Sequence, residues 1–94
     1  MTLDELMSLR QGEVVVFTKV DERITEYHNH RVGDVMTFLE IESANKIGAS
    51  ADVVNFLRES EIHYTISHFS YEICHYIERK IKLERDKKLS NLGI

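Results

Sequence analysis

The stretch Glu13–Val20 (EVVVFTKV) constrains the fold more than any other. It is rich in β-branched and aromatic residues, follows directly on Gly12 and is too short to be a helix of its own, so it is read as a first strand. A chain of 94 residues can bury one modest core around such a strand. Its 43% apolar and 30% charged residues are ordinary for a globular protein and too hydrophobic for a disordered one. One domain over 1–94 is expected.

Before that strand, Thr2 with Glu5 reads as a capping box, and Leu3, Leu6, Met7 and Leu9 follow at helical spacing until Gly12. After the polar turn Asp21-Glu22-Arg23, Ile24 to His30 alternates weakly and is read as extended. Val32-Gly33-Asp34 marks a turn before Val35–Glu42 (VMTFLEIE). Strand alternation there puts Val35, Thr37, Leu39 and Ile41 on one face and Met36, Phe38, Glu40 and Glu42 on the other. Residues 43–50 read as a loop. Ala51–Arg58 fits either a short helix capped by Ser50 or a strand. The strand is preferred, because Glu59-Ser60 then becomes a hairpin tip and Ile62, Tyr64 and Ile66 alternate with His63, Thr65 and Ser67.

From Ser70 the period becomes helical. Ile73, Ile77 and Ile81 recur every four residues with Tyr76 beside them, and Glu78/Lys82 and Glu84/Lys88 pair acid first. The spacing predicts a helix over about 70–91, ended by Gly93. Its apolar stripe thins after Leu83, so its last turns are expected to project or to dock elsewhere.

The order QGEVVVF, HRVGDVMTFLEI, DVVNFL, EIHYTISHF resembles the small SH3-like β-barrels of tailed-phage accessory proteins. The matching residues are Leu9, Gly12-Glu13 and Val15, then Val32-Gly33-Asp34, Thr37 and Leu39-Glu40, and finally Phe69, covering about residues 9–69. Met36-Thr37-Phe38 departs from the usual Tyr-Thr-Val of those barrels, and the helix after Phe69 is longer than theirs. The resemblance implies an α+β, mainly β fold: a small SH3-like antiparallel barrel over about 10–69, with a short N-terminal helical turn and a longer C-terminal helix. It further implies a non-catalytic accessory protein that binds and inhibits or redirects a host protein in host takeover or counter-defence, although a fold alone does not set function.

Charge and cysteine content narrow the setting. Residues 1–77 carry six Lys/Arg against thirteen Asp/Glu, a net of −7, whereas residues 78–94 carry six against three, a net of +3. An acidic body with a basic end repels nucleic acid over most of its surface while steering an acidic partner to that end. Cys74 is the single cysteine, so no intrachain disulfide forms, and the expected compartment is the cytoplasm, that of the host cell if the protein is viral. The opening Met1–Glu5 resembles no signal peptide, and no apolar run approaches the roughly 18 residues of a membrane span.

No arrangement carries recognisable catalysis, and neither an enzyme nor a cofactor is expected. The four glycines are scattered at 12, 33, 48 and 93, which makes no phosphate-cradling loop. His28-Asn29-His30 spells a nuclease family's name by coincidence, since in that family the named residues lie far apart in sequence. On a strand His28 and His30 share a face, and His68, Cys74 or His75 are conceivable further ligands. Without a CxxC or HxxxH pair they read as polar residues of an edge strand, and no metal is expected. Cys74, among Tyr71, Ile73 and Ile77, reads as a buried structural thiol. Glu40/Glu42 and Glu59/Glu61 read as solvated edges.

The candidate binding residues are Tyr27, His28, His30, Tyr64 and His68, with Arg79, Lys80, Lys82 and Arg85 on the basic helix. A host protein is the expected partner. Two other classes stay open: nucleic acid, with phosphates on the basic helix and bases stacked on Tyr27, Tyr64 or Phe69, and a homo-oligomer holding a small nucleotide signal between subunits. An edge strand also offers strand addition as a binding mode.

Overall fold

The computed structural model describes residues 1–58 and 64–91. Five antiparallel strands form one sheet in the order β4-β3-β2-β1-β5, with β1 Val14–Phe17, β2 Val35–Glu42, β3 Val53–Arg58, β4 Tyr64–Phe69 and β5 Ile77–Arg79. Among the described residues five helices accompany it: α1 Leu3–Met7, α2 Glu22–His28, α3 Ala44–Ile47, α4 Ser70–Ile73 and α5 Lys80–Asn91. The fold is thus α+β and mainly antiparallel, as the sequence implies. The sheet is not closed, for no strand pairing joins β4 to β5 among the described residues.

The expected N-terminal turn is α1, and its capping box is complete: the Glu5 amide donates to Thr2 Oγ1 and the Thr2 amide to Glu5 Oε1, both at 3.1 Å. The expected first strand is present as β1, shorter than Glu13–Val20, with Val15 and Phe17 buried. Two glycines with positive φ set its pairing with β2. The Gly12 amide donates to the Phe38 carbonyl, and the Gly33 amide to the Phe17 carbonyl, both at 2.9 Å; φ is 92° at Gly12 and 94° at Gly33.

The stretch from Ile24 is helical rather than extended. Asp21 caps α2, accepting from the Ile24 amide at 2.9 Å, and Asn29 ends the helix in the left-handed region at φ 55°. Among the residues of α2 with described side chains only Ile24 is buried, so strand pairing offers this segment little and local capping decides. The Asp21 carboxylate also accepts from the Tyr76 hydroxyl, which ties α2 to the turn before β5.

In β2 the simple alternation fails halfway. Phe38 pairs with Phe56 but Glu40 pairs with Asn55, so Leu39 is an extra residue in a β-bulge. Met36 and Phe38 face the core before the bulge and Ile41 after it. Glu40 and Glu42 join the opposite face, where the Asn55 amide donates to both carboxylates and Asn55 Oδ1 accepts from the Ser67 hydroxyl. The segment 51–58 holds the preferred strand. The hairpin tip Glu59-Ser60, with Ile62 and His63, lies outside the described residues.

The largest departure follows Ser70. The expected long helix is broken: α4 makes a single turn, and the chain then extends as β5 alongside β1, with Ile77 opposite Phe17. Ile73 and Ile77 are fully or almost fully buried, while Ile81 is 72% exposed. A free edge on β1 and an open flank of the core outweigh the local helical period. The helix proper is α5, and the 14.0 Å radius of gyration, with a 49 Å long axis, exceeds the roughly 12 Å of a compact chain this long.

This arrangement makes the two isoleucines unequal. Ile77→Ala is expected to lower stability by about 2–5 kcal/mol and Ile81→Ala by under about 0.5 kcal/mol, measured by urea unfolding; equal losses would indicate a continuous buried helical stripe. Acid sensitivity gives a second check. The Tyr76 hydroxyl, then the Ile24 amide, hold the Asp21 carboxyl below its usual range, and the same bond raises Tyr76. A depressed carboxyl contributes stability above the ordinary carboxylate range that is lost as pH falls through it. Asp21→Asn should therefore flatten the acid limb of a stability-against-pH profile, and an unchanged limb would assign acid loss elsewhere.

Candidate functional site

Two places gather the residues singled out by the sequence, and they differ in character. The first is interior. His30 is fully buried and its ring stacks on Phe17, with centroids 4.3 Å apart at 25°. Its Nε2 lies 3.2 Å from Nε2 of His68, which is 5% exposed on the core face of β4 opposite Val54. These histidines are core groups joined to each other, which corrects their reading as solvated residues of an edge strand. Burial of two imidazoles is made tolerable by this shared hydrogen bond, in which one nitrogen donates and the other accepts.

His68 also reaches the floor of a surface groove of about 300 Å³ lined by Arg23, Val53, Ser67, Phe69 and Glu72. Arg23 and Glu72 form an ion pair of 3.2 Å at its margin. Beside it Phe69 stacks on the exposed Tyr71, with centroids 5.7 Å apart. Tyr64 opens β4 at the other end; its hydroxyl accepts from Arg58 Nη1 at 2.9 Å and the guanidinium lies 5.8 Å above its ring. Tyr27 and His28 belong to α2, and their side chains lie outside the described residues.

The second place is the basic end, which divides into a structural and an exposed part. Arg79 is half-buried and ties β5 to α1 and to the turn before β1: Nε lies 3.2 Å from the Glu13 carboxylate, and Nη2 donates to the Glu5 carbonyl and, at 2.7 Å, to Ser8 Oγ. Lys82 sits 3.4 Å from Glu78 and 4.0 Å from Glu5. These two charges are largely neutralised by the body. Glu84 pairs with Lys80, four residues before it, at 3.8 Å. Arg85, Lys87 and Lys88 are exposed.

Helical geometry groups these exposed residues. Ile81, Arg85 and Lys88 stand at i, i+4 and i+7, one stripe of a helix about 18 Å long. The sequence places Ile73, Ile77 and Ile81 on one stripe and leaves open whether it packs on the domain or pairs with a second copy. The structure divides the stripe, burying the first two and exposing Ile81. The signal was its surroundings, since Lys80 and Lys82 flank it on both sides, where Ile73 has Cys74 and Ile77 has Tyr76 on one side.

Cys74 is buried, as expected of a structural thiol, and its Sγ lies 3.5 Å from the Tyr71 carbonyl, while His75 faces solvent. Among the described residues no group of three or more His, Cys, Asp or Glu comes together to hold a metal. Among the described residues, too, no helix is long and apolar enough to cross a membrane.

The histidine contact is open to a double-mutant cycle. His30→Leu or His68→Leu alone should cost about 1–3 kcal/mol, because each deprives the other imidazole of this bond. The double variant should cost less than the sum of the two, measured by urea unfolding; strictly additive losses would show that the rings act separately. The chain as a whole matches no protein-family model, no curated protein and no solved structure.

Proposed function

We propose that this protein acts by binding, and that α5 docks on an acidic surface of a partner protein. The observation that carries this reading is the stripe Ile81, Arg85 and Lys88: one bare apolar side chain in line with two exposed cations on a helix that leaves the sheet. An apolar anchor gains energy when covered, and flanking cations speed and orient the approach to negative charge. Arg79 and Lys82, held by Glu13, Glu5 and Glu78, fix the base of the helix.

The phage-accessory resemblance of residues 9–69 supplies the kind of partner. On this reading the chain is a non-catalytic accessory protein on an SH3-like framework, binding a host protein in the cytoplasm and blocking or redirecting it. Arg85 and Lys88 as phosphate ligands are the competing use of the same helix. The acidic body disfavours it, because a net of −7 over residues 1–77 repels a polyanion.

Affinity capture from host lysate, with and without nuclease, separates the two. A stoichiometric protein retained after nuclease treatment is expected, and its affinity should fall at least about tenfold for the Ile81→Glu/Arg85→Glu variant. Partners that vanish with nuclease would replace this reading with nucleic-acid binding, and capture indifferent to the variant would remove α5 as the docking element.

A further inference from the structure

The two edges of the sheet are guarded differently. β5 is three residues long, carries Glu78 and Arg79, and runs straight into α5. β4 is six residues long (YTISHF) and has no charge, proline, glycine or bulge in its pairing with β3. Exposed edges of soluble proteins are ordinarily blunted by charges, proline, bulges or brevity, and an edge with none of these is a template for another strand.

The sequence of β4 says which strand fits. In antiparallel pairing of β4 with itself about a two-fold axis through Ile66, Thr65 of one copy stands opposite Ser67 of the other, and Tyr64 opposite His68. From Tyr64 to His68 each opposed pair then matches in kind: aliphatic with aliphatic, hydroxyl with hydroxyl, ring with ring. No like charges meet. Thr65 and Ser67 are exposed, Ile66 and Phe69 half-buried, and Tyr64 is 40% exposed, so the edge brings surface to cover. A two-fold interface requires this self-complementarity of a single patch.

We infer that β4 is a dimerisation edge, at which a second copy of the chain adds its β4 antiparallel about Ile66 and joins two five-stranded sheets. Identical chains present the pairing symmetrically, which an unrelated strand need not do. The groove at Ser67–Phe69 and the Arg23–Glu72 pair then border the junction, while α5, which follows the opposite edge, stays available. The dimer stands independently of the role proposed for α5.

Sedimentation equilibrium on three proteins tests it. The wild type should be a dimer. Thr65→Lys/Ser67→Lys and Thr65→Glu/Ser67→Glu each set like charges opposite one another across the axis, and each should weaken association at least about tenfold. Mixing the two charged proteins should restore a dimer. Circular dichroism checks their fold, because Ser67 also bonds Asn55; if the double variants fail to fold, Thr65→Lys alone should weaken the dimer. A wild type still monomeric at about 1 mM overturns the inference, as does a dimer unchanged by these substitutions or charged proteins that fold but do not recombine.

Discussion

Phe17 is the point on which the rest of the structure depends. Its backbone is bonded on the β2 side by Gly33 and Asp34, its register partner on the other side is Ile77 of β5, and its ring carries His30. His30 in turn reaches His68 on β4, so two aromatic contacts run beneath the sheet from β1 to its far edge. The sheet is open along its hydrogen bonds, but its interior is bridged by side chains. An imidazole serves where a larger aliphatic would fill space equally well, because it adds a directional bond at the centre of an otherwise apolar layer.

Much of this was legible in the sequence. α1, β1, β2, β3 and β4 follow from a capping box, from β-branched runs and from alternation, each a local signal that the tertiary structure reinforces. What was not legible depended on neighbours distant in sequence. The weak alternation of 24–30 concealed a helix whose cap, Asp21, is held by Tyr76 from the other half of the chain. The period linking Ile73, Ile77 and Ile81 is real, yet β1 needed a partner on its free side, and that demand turned Ile77 into a strand residue. His30 and His68 read as surface polar residues because nothing in a one-dimensional pattern shows that two polar residues 38 positions apart bond to each other in the core.

The charge asymmetry read from the sequence takes a more specific form in three dimensions. The excess of cations near the C-terminus is not one surface. Arg79 and Lys82 face inward to carboxylates of α1, β5 and the turn before β1, and hold the first turn of α5 to the body. The cations beyond them stand clear. A single run of basic residues thus serves first as a fastening and then as a presented face, with the division falling where α5 leaves the sheet.

The bulge at Leu39 has a consequence for how the gene tolerates change. Because side chains alternate with a period of two, an extra residue inverts the parity of everything downstream within the strand. Met36 and Phe38 obey one phase, Ile41 the other, and the glutamates reach Asn55 only because of that inversion. Loss of the codon for Leu39 is therefore not equivalent to truncating its side chain. It removes the one residue between Met36 and Glu42 that has no partner on β3, so that Phe38 opposite Phe56 is followed directly by Glu40 opposite Asn55 with Ile41 still toward the core, whereas loss of a paired residue elsewhere in the strand would invert every later side chain.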